Sequence, residues 1–153
     1  MMLALDEFTI GSLTDAKPLS LVLPRSVYDN TVLVGGTVDQ PAYVCLAGEG
    51  AYSLIGRNEA HACCGLIVTA VKIEVDPKKV VSHRDRTAGG LIREGTTLAI
   101  VSTGIRGFSL RTVPLIEGLA DVPLSEAAVF LGWQIVLGEG LAKRVLWSPP
   151  AVA

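Results

Sequence analysis

The chain has 153 residues, of which 50% are hydrophobic and 18% charged, and its net charge is −2. That length suits one domain, and a domain of this size buries about 70% of its unfolded surface in a single core. The charge balance excludes nucleic acid as the main partner, and a mean hydropathy of +0.48 is more apolar than one soluble body needs.

The apolar excess belongs either to a membrane or to an assembly. The longest apolar runs, Ala62 to Val71 and Ala127 to Gly138, fall well short of the ~20 residues a membrane-crossing helix requires. Asp6 and Glu7 interrupt the start, and no basic stretch precedes the leucines, so no signal peptide is expected. Burial against sister subunits is the better account, which makes the chain a homo-oligomer with no membrane partner. Cys45, Cys63 and Cys64 form an odd set in which two are adjacent. Free, buried thiols in a reducing compartment are the simplest reading.

Residues 1–24 read as an N-terminal arm or edge strands, and residues 25–153 as a single β domain. In the first part Phe8 and Ile10 alternate with Thr9, and Leu19, Leu21 and Leu23 alternate with Ser20 and Val22. Gly11 and Pro18 separate these extended pieces. Asn30 to Val34 is a compact strand stopped by Gly35-Gly36. Pro41 to Arg57 is two short apolar strands around Gly48-Glu49-Gly50, and Ala127 to Leu146 is a looser copy around Gly138-Glu139-Gly140. Glycine suits such turns because it reaches positive φ without steric cost.

Arg57 to Ala62 is polar and turn-like. Gly65 to Val75 reads as the longest strand, apolar on both faces at first and then alternating Val71, Ile73 and Val75 against Lys72 and Glu74. Asp76 to Gly95 is the polar region and reads as a loop, basic through Lys78, Lys79, Arg84, Arg86 and Arg93. Thr96 to Val113 is a hairpin bent at Gly104 and Gly107. A short helix over Leu124–Val129 competes with the β-forming run from Phe130 to Val136. The last strand, Leu141 to Trp147, ends before Pro149-Pro150. No capped amphipathic pattern of ten or more residues is present. The chain is therefore all-β: a small barrel or sandwich built from short antiparallel hairpins, with an extended N-terminal segment.

Chemistry-bearing motifs are sparse. The glycine pairs lack the Lys-Ser/Thr of a phosphate loop, and no Gly-x-Ser-x-Gly elbow occurs. The best cluster is His61, Cys63 and Cys64, with Cys45 and His83 able to join. Thiolate and imidazole are zinc ligands, and a Cys–His pair is a nucleophile in other settings. On a strand, though, His61 and Cys63 point one way and Cys64 the other, and no Cys-x-x-Cys knuckle exists. Glu49 and Glu139 sit at turn tips, where a polar residue belongs, and would act as acid and base only if their hairpins lay side by side. Trp133 and Trp147 read as core or interface anchors. No catalytic residue, cofactor or metal is assigned.

Asp39-Gln40-Pro41 and Pro123-Leu124-Ser125-Glu126, each followed by Ala-aromatic/Val runs and a glycine turn, together with Ala60 to Thr69 (AHACCGLIVT), give a pattern over about residues 38–147. It resembles the small β-rich capsid decoration (cementing) and head-fibre proteins of tailed bacteriophages. The similarity lies in hairpin grammar and not in a diagnostic residue. It implies a non-enzymatic virion protein, made in the host cytoplasm, that binds the major capsid protein on the outer capsid surface, often as a trimer, and stabilises the shell. Leu3, Leu5 and Phe8 of the arm, Arg84 and Arg86 of the basic stretch, and Trp147 are the residues that stand out for an interface. The competing reading is a small cytosolic β-barrel enzyme or ligand-binding domain using Cys63 or Cys64 with His61 or His83.

Overall fold

The structure, a computed structural model, describes residues 2–25, 30–48, 50–105, 109–118 and 128–150. Fourteen strands are present among them: β1 (Thr9–Ser12), β2 (Ser20–Leu23), β3 (Val32–Gly36), β4 (Pro41–Cys45), β5 (Leu54–Ile55), β6 (Cys64–Val68), β7 (Val71–Val75), β8 (Val80–Ser82), β9 (Leu91–Glu94), β10 (Thr97–Thr103), β11 (Leu110–Ile116), β12 (Ala128–Phe130), β13 (Trp133–Leu137) and β14 (Arg144–Trp147). One helix, α1 (Arg57–Ala62), and three single 3₁₀ turns complete the described elements. All pairings between strands are antiparallel. They form three open sheets, a sandwich-like all-β architecture and not a closed barrel.

The order of strands reveals a duplication. The first sheet runs β1-β6-β2-β3-β4-β5 and the second runs β8-β12-β9-β10-β11. In each, an edge strand leads through a 3₁₀ turn to a three-stranded meander, and a later strand returns to insert between the first two. The registers agree residue by residue. Leu21 faces Val68 and Leu33 in the first unit, as Leu91 faces Phe130 and Ile100 in the second. Leu33 pairs with Val44 as Ile100 pairs with Val113. The turn residues also match. Leu19 donates its N–H to Val34 O at 2.7 Å, and Gly89 donates to Val101 O at 2.8 Å. Both residues are left-handed, with φ 58 and 91. Ser12 and Ser82 each open the 3₁₀ turn. Asp15 Oδ2 accepts from the Ser12 N–H at 3.0 Å, and Ser82 Oγ accepts from the Arg84 N–H. The units differ at their outermost strands: β8 sits two residues along from where β1 sits on its returning strand. An even slip keeps the same side chains on the same face.

The two units are joined along one seam, the sheet β14-β13-β7. β7 follows the first returning strand and β13 follows the second. They pair with Ile73 opposite Ile135, Val75 opposite Trp133 and Val71 opposite Leu137. Exchanging the two units maps this set of pairs onto itself. The duplication therefore has a pseudo-two-fold axis through the Ile73–Ile135 pair.

Each large sheet buries both faces. The inner faces meet in a shared core holding Leu21, Leu33, Val44, Val68 and their counterparts Leu91, Ile100, Val113 and Phe130, closed by Trp133 and Ile135 of the seam. The outer face of the first sheet carries Val22, Val32, Val34 and Ile67, covered by Leu13 and Ala16 around its 3₁₀ turn and by Ala60 of α1. The outer face of the second carries Ile92, Ala99, Val101 and Val129, with Val81 and Leu131 against them.

Several sequence expectations change here. The long strand expected over Gly65 to Val75 is two strands in different sheets, bent at Thr69-Ala70. Its two-sided apolar half is the interior strand β6, and its alternating half is the seam strand β7. The polar stretch Asp76 to Gly95 is not one loop: it contains β8 and β9, and Leu91 and Ile92 are fully buried. Of the first 24 residues, β1 is an edge strand whereas β2 is interior. Arg57 to Ala62 is the helix α1, six residues begun at Gly56 without a side-chain cap. The hairpin over Thr96 to Val113 is present as β10–β11. The helix expected over Leu124–Val129 falls mostly outside the described residues, and its last two positions belong to β12. The two Gly-Glu-Gly hairpins are not the repeat unit: one closes β4–β5 at the edge of a large sheet and the other closes β13–β14 in the seam.

At Gly89 the second unit needs glycine for two reasons. A Cβ there would lie 2.5 Å from the Tyr52 ring, and φ is +91. Gly89→Ala is expected to cost about 2 kcal/mol in urea unfolding, from overpacking and left-handed strain together. Gly95→Ala, at φ +61 with open space around it, costs only the strain of about 1 kcal/mol. Equal losses at the two positions would contradict this packing.

Candidate functional site

The residues singled out for chemistry are dispersed. Cys45 is buried, and its Sγ donates to Ala47 O at 3.2 Å. Cys63 ends α1, and Cys64, which is exposed, opens β6 opposite Ser12. His61 lies on exposed α1. His83 lies in the 3₁₀ turn of the other unit, where Arg86 Nη2 is 2.9 Å from its Nε2. Among the described residues no group of three or more His, Cys, Asp or Glu is placed to hold a metal. Glu139 contacts Lys72 at the surface, and Glu49 lies outside the described residues, so its pairing with Glu139 does too.

The expected interface residues divide into inward and outward sets. Leu3 and Phe8 pack against the shared core. Between them Leu5 is 90% exposed. Arg144 of β14 holds this segment: its Nη1 donates to Met2 O at 2.9 Å and its Nη2 contacts the Glu7 carboxylate. The Ala4 N–H also donates to Glu7 Oε1 at 2.8 Å. The Arg144 hydrogen bond, and then that of Ala4, holds the Glu7 carboxyl below its ordinary range. Arg84 is exposed, while Arg86 is partly covered and lies 3.9 Å from Glu94. Trp147 faces inward. Its ring packs on Trp133 at 4.7 Å and edge-on to Tyr52, and its Nε1 donates to Leu46 O. Trp133 in turn donates to Gly89 O at 2.7 Å. Both tryptophans therefore anchor the core across the seam.

A surface groove of about 910 Å³ opens at one end of the seam, between the turn Asp76 to Val80 and the tail Ser148 to Pro150. Its charged lining, Glu74, Asp76, Lys78 and Lys79, has both signs and converges on no single point. None of the cysteines borders it.

The feature that sequence reading missed is the distribution of exposed aliphatic side chains over strand edges. Six strands end the three sheets, and four of them carry one: Ile10 on β1 (66% exposed), Val80 on β8 (42%), Leu110 on β11 (46%) and Val145 on β14 (46%). Edge strands present unpaired N–H and C=O groups to solvent, and an apolar edge is a template for another strand. The sequence reading puts Ile10, Leu110 and Val145 in extended segments and Val80 in a loop, and edges exist only once the order of strands is known.

The fold and its surface define a duplicated, open-sheeted all-β protein. A family model described as "Uncharacterised protein y4lG" matches residues 10–151, and the chain belongs to that family. It is similar to "Uncharacterized protein y4lG" of Sinorhizobium fredii (strain NBRC 101917 / NGR234), with 41% identity over 149 residues, covering 96% of this chain and 92% of the relative. No solved structure matches the chain.

The Glu7–Arg144 contact makes a test. A carboxyl held below its ordinary value contributes stability above that value and loses it as pH falls through the lowered one. The Glu7 amide, which donates to Ala4 O, is therefore expected to lose hydrogen-exchange protection in acid, below the carboxylate range. Glu7→Gln should show low protection already at neutral pH. Protection in the wild type that stays flat through acid would contradict the anchoring role.

Proposed function

We propose that this is a non-enzymatic structural protein that works by strand-edge association, as an oligomer and as part of a larger assembly. The observation that carries the reading is the set of four edge strands with exposed aliphatic side chains. A protein that stays monomeric blunts such edges with charge, proline or cover. Backbone pairing at an edge supplies affinity, and alternate side chains supply selectivity. The high apolar content does not support the reading by itself, because the two-sided burial of both large sheets already uses most of it.

The assembly proposed is the outer surface of a tailed-phage capsid, as the hairpin resemblance implies, with the major capsid protein as partner and a trimer as the favoured copy number. Open strand edges suit a protein that bridges shell subunits. The thiol-enzyme reading draws less support. His83 lies in the other unit from Cys63 and Cys64, and His61, on the exposed helix α1, does not line the groove at the end of the seam, nor do the cysteines.

Light scattering after size exclusion tests self-association: a mass above the 16.1 kDa chain is expected, and a monomer at every concentration would overturn the reading. The capsid form is tested by fractionating a lysate of producing cells. The chain is expected to band with purified heads, and its absence from heads would remove that assignment.

A further inference from the structure

We propose that two copies of this chain pair through the outer edge of β7, extending the seam into one continuous sheet across a dimer. The inference rests on the self-associating reading above but uses an edge outside the four with exposed aliphatic side chains. As an isologous two-fold contact, it gives a dimer where the capsid resemblance favours a trimer.

The seam leaves its two central strands unequally treated. β7 and β13 are equivalent under the pseudo-two-fold, and the outer edge of β13 carries β14, with Ile135 opposite Trp147 and Leu137 opposite Arg144. The equivalent outer edge of β7 carries no strand among the described residues, and β13 is the one strand that runs beside it.

The direction of the β7 backbone groups follows from one hydrogen bond. Asp76 N–H donates to Gly132 O at 2.7 Å, continuing the β7–β13 register by one position. Hydrogen-bonded pairs alternate along an antiparallel ladder. Residues 72, 74 and 76 therefore bond toward β13, and Val71, Ile73 and Val75 turn their N–H and C=O groups to the open side.

The sequence of this edge is complementary to itself. Val71-Lys72-Ile73-Glu74-Val75, laid antiparallel on a second copy about Ile73, sets Ile73 opposite Ile73 and valine opposite valine. Lys72 then falls opposite Glu74 twice. Those two pairs are the non-hydrogen-bonded ones, where side chains approach most closely. Lys72 is 60% exposed and Glu74 42% exposed. Within the chain Lys72 contacts the exposed Glu139, and Glu74 accepts from the exposed Lys143 and from the partly buried Gln134 Nε2 at 2.8 Å. The new pairs would add to contacts already made at a partly exposed surface and contribute modestly each. Ile73 would then centre two related contacts, one on Ile135 within the chain and one on its twin.

A charge swap on the full chain tests this, with the dimer dissociation constant measured by sedimentation. Concentrations up to ~100 μM are needed, since edge-to-edge interfaces are small and weak. Lys72→Glu and Glu74→Lys each place like charges opposite one another twice, and each is expected to weaken dimerisation on the order of ten-fold. The double variant Lys72→Glu/Glu74→Lys restores opposite pairs and should return to the wild-type value. As a readout that needs no variant, exchange of the Ile73 and Val75 amides should slow as wild-type concentration rises. A wild type that stays monomeric, with concentration-independent amides, overturns both this proposal and the self-associating reading. An oligomer indifferent to the single swaps, or not rescued by the double one, overturns the β7 edge and leaves the broader reading standing.

Discussion

The pairing of β7 with β13 is the contact on which the rest of the architecture depends. The two units are open sheets of six and five strands, each with an apolar inner face, and neither inner face can be satisfied alone. The seam brings the two together and contributes Trp133, Ile135 and Val71 to the same core. The tryptophan pair then fastens the seam to both units: Trp133 bonds to the turn before β9, and Trp147 bonds to Leu46 after β4. Gly35 shows how close the units come, since a Cβ there would lie 2.7 Å from Val113 Cγ1 of β11. At the margins Thr103 N–H donates to Tyr52 O, so the two large sheets are also stitched by backbone.

The same arrangement accounts for the composition. A sheet covered on both faces reads as nearly continuous apolar sequence, which is why a chain with 18% charged residues needs no membrane and no partner to hide its core. Sequence alone assigns that excess to subunit contacts. The structure moves most of it inside and leaves a smaller, more specific set of apolar residues on the strand edges. The functional argument therefore shifts from how much apolar surface there is to where it lies.

Local structure was legible where local rules decide it. The β10–β11 hairpin follows from alternation bounded by glycine, and the β13–β14 hairpin follows from Gly138 and the run around it. The duplication was not legible, because only scattered equivalent positions keep their identity, among them Ser12 and Ser82, Asp15 and Asp85, Leu21 and Leu91, Val34 and Val101, Val44 and Val113, and Ile73 and Ile135. The shared property is burial, and many residues supply it. Leu19 stands where the second unit has Gly89, which hides even the turn. The Gly-Glu-Gly match was the more visible repeat, yet it reflects a common turn chemistry and not a common position in the fold. Helix α1 escaped notice because six residues behind an uncapped glycine carry no periodic signal. Of the chemical candidates, the His61–Cys63–Cys64 cluster is contiguous in sequence but divided between a helix end and a strand, and His83 belongs to the other unit.

The account stands on the claim that two equivalent units meet about Ile73 and Ile135. In an antiparallel ladder the pairs not bonded to each other bring their Hα atoms together, and the alternation places Ile73–Ile135 in that class. A nuclear Overhauser spectrum of the full chain should show a strong Hα–Hα contact between Ile73 and Ile135, flanked by Val75–Trp133 and Val71–Leu137. Strong contacts from Lys72 or Glu74 in their place, or no contact between the two strands, would contradict the seam and with it the duplicated fold.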